Sequence, residues 1–172
     1  MPVRKPLPTR WLFTDERQGE ALWRALARLP RGSGVIFRHY DAPDRMALLA
    51  RVERAARRRG LVLVVAGAPR EAGRLPRHAN RHVRARGALT ASAHSLSDLV
   101  RTRRAGVALT FLSPVFATRS HPGARTLGPV RFGLLARQAK LPVAGLGGMT
   151  EKRFQRLKPL GASAWGAIAA LS

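Results

Sequence analysis

The chain has 172 residues, no cysteine and a formal net charge of +23 at pH 7. This length fits one domain with a sizeable core, and the lack of cysteine excludes disulfides, thiolate metal sites and a cysteine nucleophile. No apolar run approaches the roughly 20 residues that span a bilayer, and no apolar signal segment follows the basic residues 1–10. We therefore expect a cytoplasmic protein in which residues 1–10 form a flexible N-terminal extension.

Arginine supplies 28 of the 32 basic side chains. A basic surface attracts either nucleic acid or anionic small molecules. The arginines are spread along predicted helices, as in residues 53–60 (ERAARRRG), and are not gathered with aromatic residues into a base-stacking platform. This favours solvated helix faces and attraction of phosphorylated small molecules, and it leaves a nucleic-acid-binding module as the weakest alternative.

Apolar runs rich in β-branched residues recur along the chain and predict eight strands. They begin at Trp11, Gly34, Leu61, Arg81, Leu89, Gly106, Leu141 and Ala162. Most are continuously apolar, which is typical of parallel strands covered on both faces.

Helical patterns lie between most of these runs. The first helix carries leucines at positions 22, 26 and 29 and ends at Pro30; the second begins at Pro43 and ends at Gly60. The inward-facing residues of the second helix are predicted to be Met46, Leu49, Val52 and Ala56.

Two further helices are predicted from their cap residues. Ser95 or Ser97 caps one, which stops at Gly106, and Thr150 caps the other. The inward-facing residues of the last helix are predicted to be Phe154, Leu157 and Leu160.

Eight strands that alternate with helices predict a closed (β/α)8 TIM barrel as the simplest arrangement, and a doubly wound open sheet is the alternative. Residues 67–80 have little helical period, and only residues 84–88 separate the fourth predicted strand from the fifth, so one or two crossovers are expected to be irregular. Because such barrels typically run to about 250 residues, we predict a short barrel, as a single domain over residues 1–172, with no helix after the last strand.

In a TIM barrel the functional groups lie at the carboxyl ends of the strands, and the loops after strands seven and eight often hold phosphate. Residues 145–150 (GLGGMT) follow the seventh predicted strand, so the amides around Gly147 and Gly148 can approach an anion. The backbone of Ile168 and Ala169, after the last strand, is the second candidate.

The loop at residues 113–124 (SPVFATRSHPGA) carries hydroxyls and an imidazole but no carboxylate. Hydroxyls donate to phosphate oxygens, whereas a carboxylate would repel them. We therefore predict a loop that faces an anionic ligand on the same rim as residues 145–150.

Segments along nearly the whole chain together resemble the thiamine-phosphate synthases and the related thiazole tautomerases. They are WLFTDER (11–17), IFRHYD (36–41), SAHS (92–95), LSPVFATRSHPGA (112–124), PVAGLGGM (142–149) and GASAWGAIAAL (161–171). The resemblance implies a TIM barrel that joins a hydroxymethylpyrimidine diphosphate to a thiazole phosphate, releases pyrophosphate and uses magnesium. The oligomeric state stays open, with a homodimer as one alternative.

The resemblance assigns site residues at both substrates. Arg38 matches a catalytic arginine, although Ile36 and Tyr40 replace the glutamine and lysine of the same motif. The other matches are Ser92 near the pyrimidine diphosphate, Thr118 and Ser120 as a Thr-x-Thr pair, Gly147 with Gly148 at the thiazole phosphate, and the backbone of Ile168 and Ala169. His121 stands where the family has a lysine, and it is the candidate acid or base.

The metal ligands of the family are missing. Ala66 and Gly67 stand where an Asn-Asp pair follows the third strand, and residues 82–87 contain no acid. Magnesium prefers carboxylate oxygens, so we predict no metal ligand and leave the cofactor open. Arg84 and Arg86 are candidates to supply the charge, but exposed surface positions are the favoured interpretation.

The tautomerases that resemble this chain use a histidine where Pro114 stands here. His94 is interpreted as a structural residue after a strand, and His78 with His82 is not interpreted as a metal pair. Three hypotheses follow: a synthase of this family, a degenerate relative that binds or isomerises a thiazole phosphate or other phosphorylated small molecule, and the nucleic-acid-binding module.

Overall fold

Eight parallel strands form a closed barrel in which each strand pairs with the next and the eighth pairs with the first. The computed structural model describes residues 6–67, 69–80, 85–118 and 123–168. The strands are β1 (Arg10–Phe13), β2 (Gly34–Phe37), β3 (Val62–Ala66), β4 (Arg77–Ala79), β5 (Thr90–Ala93), β6 (Leu109–Leu112), β7 (Val143–Leu146) and β8 (Ala162–Ala167). The predicted short TIM barrel is confirmed, and the open sheet is excluded.

Six α-helices pack around the barrel in the described part of the chain. They are α1 (Ala21–Arg28), α2 (Arg45–Arg59), α3 (Pro69–Ala72), α4 (Leu96–Arg104), α5 (Gly128–Ala139) and α6 (Glu151–Leu157), with single 3-10 turns at Glu16–Gln18 and Lys158–Leu160. None of the described helices is long and apolar enough to cross a membrane.

The predicted end of α2 at Gly60 and the predicted caps of α4 and α6 agree with the structure, but α2 begins at Arg45 and not at Pro43. Gly60 follows α2 with a φ of 63°, a left-handed conformation that glycine adopts without strain. The hydroxyl of Ser95 accepts a hydrogen bond from the backbone of Asp98, and Thr150 accepts one from the backbone of Arg153. Ser95 is therefore the cap of α4, and the alternative at Ser97 is wrong.

The inward stripe of α2 begins one turn later than predicted. Leu49, Val52 and Ala56 are buried, but Met46 is 61% exposed. The first turn of the helix instead contacts the barrel through Arg45, whose Nη2 lies 2.6 Å from the carbonyl oxygen of Ala66.

The fourth strand lies upstream of its predicted position. It is Arg77–Ala79 and not residues 81–85; Ala85 lies outside a strand, and residues 81–84 lie outside the described part of the chain. A sequence as polar as RHA can form a barrel strand because His78, which points into the interior, hydrogen-bonds to hydroxyls of β5. The expected irregular crossovers flank it, since α3 is one turn long and residues 85–89 contain no helix.

The barrel interior is filled by aromatic and aliphatic side chains. Trp11, Phe13 and Phe111 are fully buried, and Phe13 meets Phe111 edge-to-face with the ring centroids 4.8 Å apart. A Cβ at Gly34 would lie 2.0 Å from the Trp11 ring, so glycine on β2 makes room for the indole of β1. The interior is therefore a core and not a channel, and ligand sites belong at the rim.

Residues 6–10, which belong to the expected extension, contact the barrel. The Pro8 carbonyl accepts a hydrogen bond of 2.6 Å from the indole of Trp11, and the Thr9 carbonyl accepts one of 2.9 Å from the backbone of Trp165. This segment therefore lies against the amino end of β1 and the middle of β8.

Candidate phosphate-binding site

The loops after β6 and β7 lie against each other at the carboxyl ends of the strands. The amide of Val115 donates to the carbonyl of Leu146 at 2.9 Å, and the amide of Phe116 donates to that of Gly147 at 3.1 Å. Residues 145–150 and the described part of residues 113–124 therefore share one rim, as predicted from the sequence.

Glycine is required at both positions of the β7 loop. Gly147 and Gly148 have φ values of 90° and 60°. A Cβ would lie 2.9 Å from the Cα of Pro114 in the first case and 2.3 Å from the carbonyl oxygen of Ala117 in the second. The backbones of the two loops consequently approach more closely than any other residue allows.

Arg153 adds a positive charge at this point, which sequence analysis missed. Its guanidinium donates to the carbonyl oxygen of Gly148 and lies 4.6 Å from the ring centroid of Phe116. The side chain is thereby held beside the two glycines, where it raises the electrostatic attraction for an anion.

The other predicted residues of this half are only partly placed. Thr118 is half-buried in the loop after β6, and Ile168 directly follows β8, where its carbonyl accepts a hydrogen bond of 3.1 Å from Gln18. Ser120, His121 and Ala169 lie outside the described residues. The structure thus brings Gly147, Gly148 and Thr118 to loops of one rim.

Arg38 follows β2 and faces the mouth of the barrel. Its backbone amide donates to the hydroxyl of Thr14 at 2.9 Å, and its guanidinium lies 5.7 Å from the ring centroid of Phe13. The guanidinium is also 3.7 Å from the carboxylate of Asp15. These contacts orient a positive charge at the end of β2, where the resemblance places the catalytic arginine.

Asp15 is a buried carboxylate of the rim that the site assignment missed. Arg17 donates to its two oxygens at 2.6 and 2.7 Å, and these hydrogen bonds hold the pKa of Asp15 at about 2, against the opposing effect of burial. The group is therefore ionised at neutral pH and paired with arginine.

Ser92 on β5 is held by a buried histidine. Nε2 of His78 lies 2.9 Å from the Ser92 hydroxyl, and Nδ1 lies 2.8 Å from the hydroxyl of Thr90. Burial, with the charge of Arg38 as a smaller contribution, lowers the pKa of His78 to about 3. The imidazole is neutral, so one ring nitrogen donates while the other accepts, and Ser92 is fixed below the mouth.

His94 has the structural role expected from the sequence. Its Nδ1 lies 2.9 Å from the carbonyl oxygen of Ser113, and its backbone amide donates to Asp98 at 2.9 Å. The ring thus ties the end of β5 to the end of β6.

The ends of β3 and β4 do not fit the magnesium that the resemblance implies. They present Ala66, Gly67 and Asn80, and Arg45 occupies the end of β3 through hydrogen bonds to Ala66 and His39. No cluster of three His, Asp or Glu side chains suited to a metal is found among the described residues. Arg86 is exposed, and Arg84 lies outside the described part of the chain.

Fold and rim together define a TIM-barrel protein with a candidate anion site at the carboxyl ends of its strands. The family model described as thiamine monophosphate synthase matches residues 12–171, and the chain therefore belongs to this family.

Individual relatives are more distant. The chain is 34% identical over 64 residues to "Putative thiamine-phosphate synthase 2" of Aquifex aeolicus (strain VF5), a match that spans 37% of this chain and about a third (34%) of that curated relative. Thiamine phosphate pyrophosphorylase from Pyrococcus furiosus superposes with a TM-score of 0.77 at 19% identity, covering 95% of this chain and 86% of that one. The corresponding protein from Bacteroides thetaiotaomicron gives 0.59 at 17% identity, with 94% and 83% covered. At these identities the structures support the fold alone.

Proposed function

We propose that the protein is a transferase of thiamine biosynthesis that joins a hydroxymethylpyrimidine diphosphate to a thiazole phosphate and releases pyrophosphate. The observation that carries this proposal is the division of the rim: a glycine-lined loop pair with Arg153 lies at β6 and β7, and Arg38 lies at the end of β2. A reaction between two phosphorylated substrates needs two such anion sites.

The reaction is a substitution at the methylene carbon that bears the diphosphate. The thiazole nitrogen attacks this carbon, the carbon–nitrogen bond forms, the carbon–oxygen bond breaks, and pyrophosphate leaves with the electron pair. Arg38 stabilises the negative charge that develops on the leaving oxygen. No proton has to leave the attacking nitrogen, so the neutral His78 and the paired Asp15 are not needed as bases.

Thiazole phosphate is assigned to the loops after β6, β7 and β8. Backbone amides at Gly147 and Gly148, the hydroxyl of Thr118 and the charge of Arg153 support this assignment, because each is suited to phosphate oxygens. Ser120, His121 and the backbone of Ile168 and Ala169 stay predicted members of the site.

A coupled assay tests the proposal. The purified protein is incubated with both precursors and magnesium, and thiamine phosphate is measured by mass spectrometry. We expect product to accumulate with time and enzyme concentration and to be lost in Arg38→Ala. No product above that of a boiled sample would contradict the coupling reaction.

A second candidate is a relative that binds or isomerises thiazole phosphate without coupling. The guanidinium of Arg45 at the end of β3, where carboxylates are expected, favours it. Isothermal titration separates the two: thiazole phosphate that binds with no thiamine phosphate formed supports the second candidate, and formation of product supports the first.

A further inference from the structure

Tyr40, the only tyrosine of the chain, lies at the mouth of the barrel in the loop after β2. It is 43% exposed, and its hydroxyl accepts a hydrogen bond of 3.3 Å from the side chain of Asn80, which directly follows β4. Because β3 lies between β2 and β4, the side chain of Tyr40 spans the end of β3. An aromatic ring is therefore presented at the rim with part of its surface open to solvent.

The backbone on either side of Tyr40 is anchored to the loop after β1. Nδ1 of His39 lies 2.9 Å from the hydroxyl of Thr14, and the amide of Asp41 donates to the carboxylate of Glu16 at 3.3 Å. Tyr40 is thus fixed through its neighbours in the chain and through its own hydroxyl. Little conformational freedom remains to be lost when a ligand packs against the ring.

The strand register places the partner of Tyr40 beside Ser92. The pairing of β4 with β5 starts at His78 and Thr90 and continues one residue at a time, so Asn80 is level with Ser92. Nε2 of His78 also lies 2.9 Å from the Ser92 hydroxyl. Tyr40 therefore reaches the strand ends that hold Ser92, the residue matched to the pyrimidine diphosphate.

The end of β3, which Tyr40 spans, lies next to Arg38. The pairing of β2 with β3 puts Arg38 level with Ala66, and the Arg38 guanidinium lies 5.7 Å from the ring centroid of Phe13 in the barrel interior. Ala66 and Gly67 are buried and present nothing larger than a methyl group, where the related synthases have an Asn-Asp pair. This part of the mouth therefore combines one cation and one exposed aromatic ring, with no carboxylate at the end of β3.

We propose that Tyr40 determines the specificity of this end of the site by stacking against the pyrimidine ring of the diphosphate substrate. The identity of that ring rests on the proposed function. An aromatic side chain binds planar heteroaromatic rings through apolar contact and offset stacking. The lysine that stands here in the related synthases can neutralise phosphate but offers no flat surface. Arg38 then binds the diphosphate, and Tyr40 orients the ring that bears it.

A single fluorine label tests the contact, because the full chain produced with 3-fluorotyrosine is labelled at Tyr40 alone. Titration with hydroxymethylpyrimidine, which has no phosphate, should move the fluorine resonance until it saturates. Thiazole phosphate, an aromatic ligand assigned to the other half of the rim, and inorganic pyrophosphate should move it far less. Equal movement with thiazole phosphate overturns the proposal. So does a pyrimidine compound, with or without its diphosphate, that binds without moving the resonance, or the failure of both to bind.

Substitutions separate the ring from its hydroxyl. Tyr40→Ala should weaken binding of hydroxymethylpyrimidine diphosphate about fivefold or more, whereas Tyr40→Phe, which keeps the ring, should stay within about twofold of the unmodified protein. Met46→Ala is the matched control, since Met46 is a large side chain, 61% exposed, on the first turn of α2, and it should also stay within about twofold. Equal losses in the alanine and phenylalanine variants would assign the effect to the hydrogen bond with Asn80 and overturn stacking.

Kinetics distinguish a failure of this proposal from a failure of the coupling reaction. If thiamine phosphate forms, Tyr40→Ala should raise KM for the pyrimidine diphosphate about fivefold or more and leave kcat and KM for thiazole phosphate within about twofold. Product formation with an unchanged KM refutes the role of Tyr40 alone. A fluorine shift that depends on the pyrimidine, with no thiamine phosphate formed, refutes the coupling reaction alone.

Discussion

The two halves of the barrel rim are built by different means. At β6 and β7, backbone meets backbone: two glycines let the loops hydrogen-bond directly, and Arg153 is fixed against them. At β2 to β5 the rim is formed by side chains instead. Carbonyl groups, aromatic rings and one carboxylate orient Arg38 and Arg45 there. The first half is therefore sensitive to added volume, whereas the second is sensitive to lost charge.

The largest effect is expected from adding one methyl group to the loop pair. Gly148→Ala should lower the free energy of unfolding by about 2–4 kcal/mol, because the left-handed backbone is strained and the new Cβ meets the Ala117 carbonyl. Gly106→Ala is the matched control, with a φ of 73° and no atom within 4 Å of the added Cβ, and it should cost about 1 kcal/mol. Urea unfolding measures both, and equal losses would show that the loop contact is not tight.

Binding should separate the two halves. Thr118→Val should weaken thiazole-phosphate binding about five- to tenfold, the loss of one hydrogen bond, and leave pyrophosphate binding unchanged. Arg38→Ala should do the reverse, weakening pyrophosphate binding about tenfold or more. Isothermal titration at one salt concentration checks both, and parallel losses in the two variants would merge the proposed half-sites into one.

Acid should destabilise the second half through His78. Its pKa of about 3 lies below the usual 6.5. Between these two pH values the unfolded chain binds a proton at His78 and the folded chain does not. The free energy of unfolding should therefore fall as pH is lowered from 6.5 toward 3, by up to about 1.4 kcal/mol for each pH unit.

His78→Gln isolates this contribution, since glutamine keeps hydrogen-bonding atoms and does not titrate. Urea unfolding at pH 6.5, 5.5 and 4.5 should give a shallower slope for the variant, with the remainder due in part to His39, whose pKa is also lowered by burial. Identical slopes for the two proteins would mean that His78 accepts a proton in the folded state.

The smallest effect is expected at Asp15. Asp15→Asn should cost about 0.5–1 kcal/mol at neutral pH, because Arg17 on the other side of the pair is largely exposed to solvent. The pKa of about 2 lies below the usual 3.8, so this stabilisation is present above pH 3.8 and is lost as pH falls through 2. Asp44→Asn, an exposed position, serves as the control, and an equal loss there would show that the arginine pairs of Asp15 add nothing.

Apolar periodicity was enough to predict the barrel but not all of its elements. The fourth strand was misplaced because its interior residue is a histidine, which a pattern of apolar residues does not count, and only the hydroxyls of Thr90 and Ser92 make its burial acceptable. Helix α5 was missed because Gly128, Pro129 and Gly133 resemble a turn. A Cβ at Gly133 would lie 3.2 Å from Leu160, so close packing accounts for that glycine.

The site residues that belong to one short, recognisable segment could be predicted from the sequence. Gly147 and Gly148 stand together after a strand, and Arg38 stands in a recognisable segment. Arg45 was missed because its partner Ala66 is 21 residues away in sequence, a contact that exists only after α2 packs on the barrel. Arg153 was missed for the same reason. It contacts the carbonyl of Gly148 and the ring of Phe116, and no local sequence pattern predicts these contacts.

The pairing of β1 with β8, which closes the barrel, has a consequence for how the chain folds. Beside this pair of strands, Gln18 hydrogen-bonds to Ile168, which is 150 residues away in sequence. The two strands pair in register from Arg10 and Trp165 onward. During synthesis from the N-terminus, seven strands emerge before the one that closes the ring, so two sheet edges stay unpaired until late. Mutual repulsion between chains with a net charge of +23 keeps those edges apart while the ring is open. We therefore expect the excess of arginine to oppose aggregation of the nascent chain, a consequence separate from the anion sites proposed on the rim.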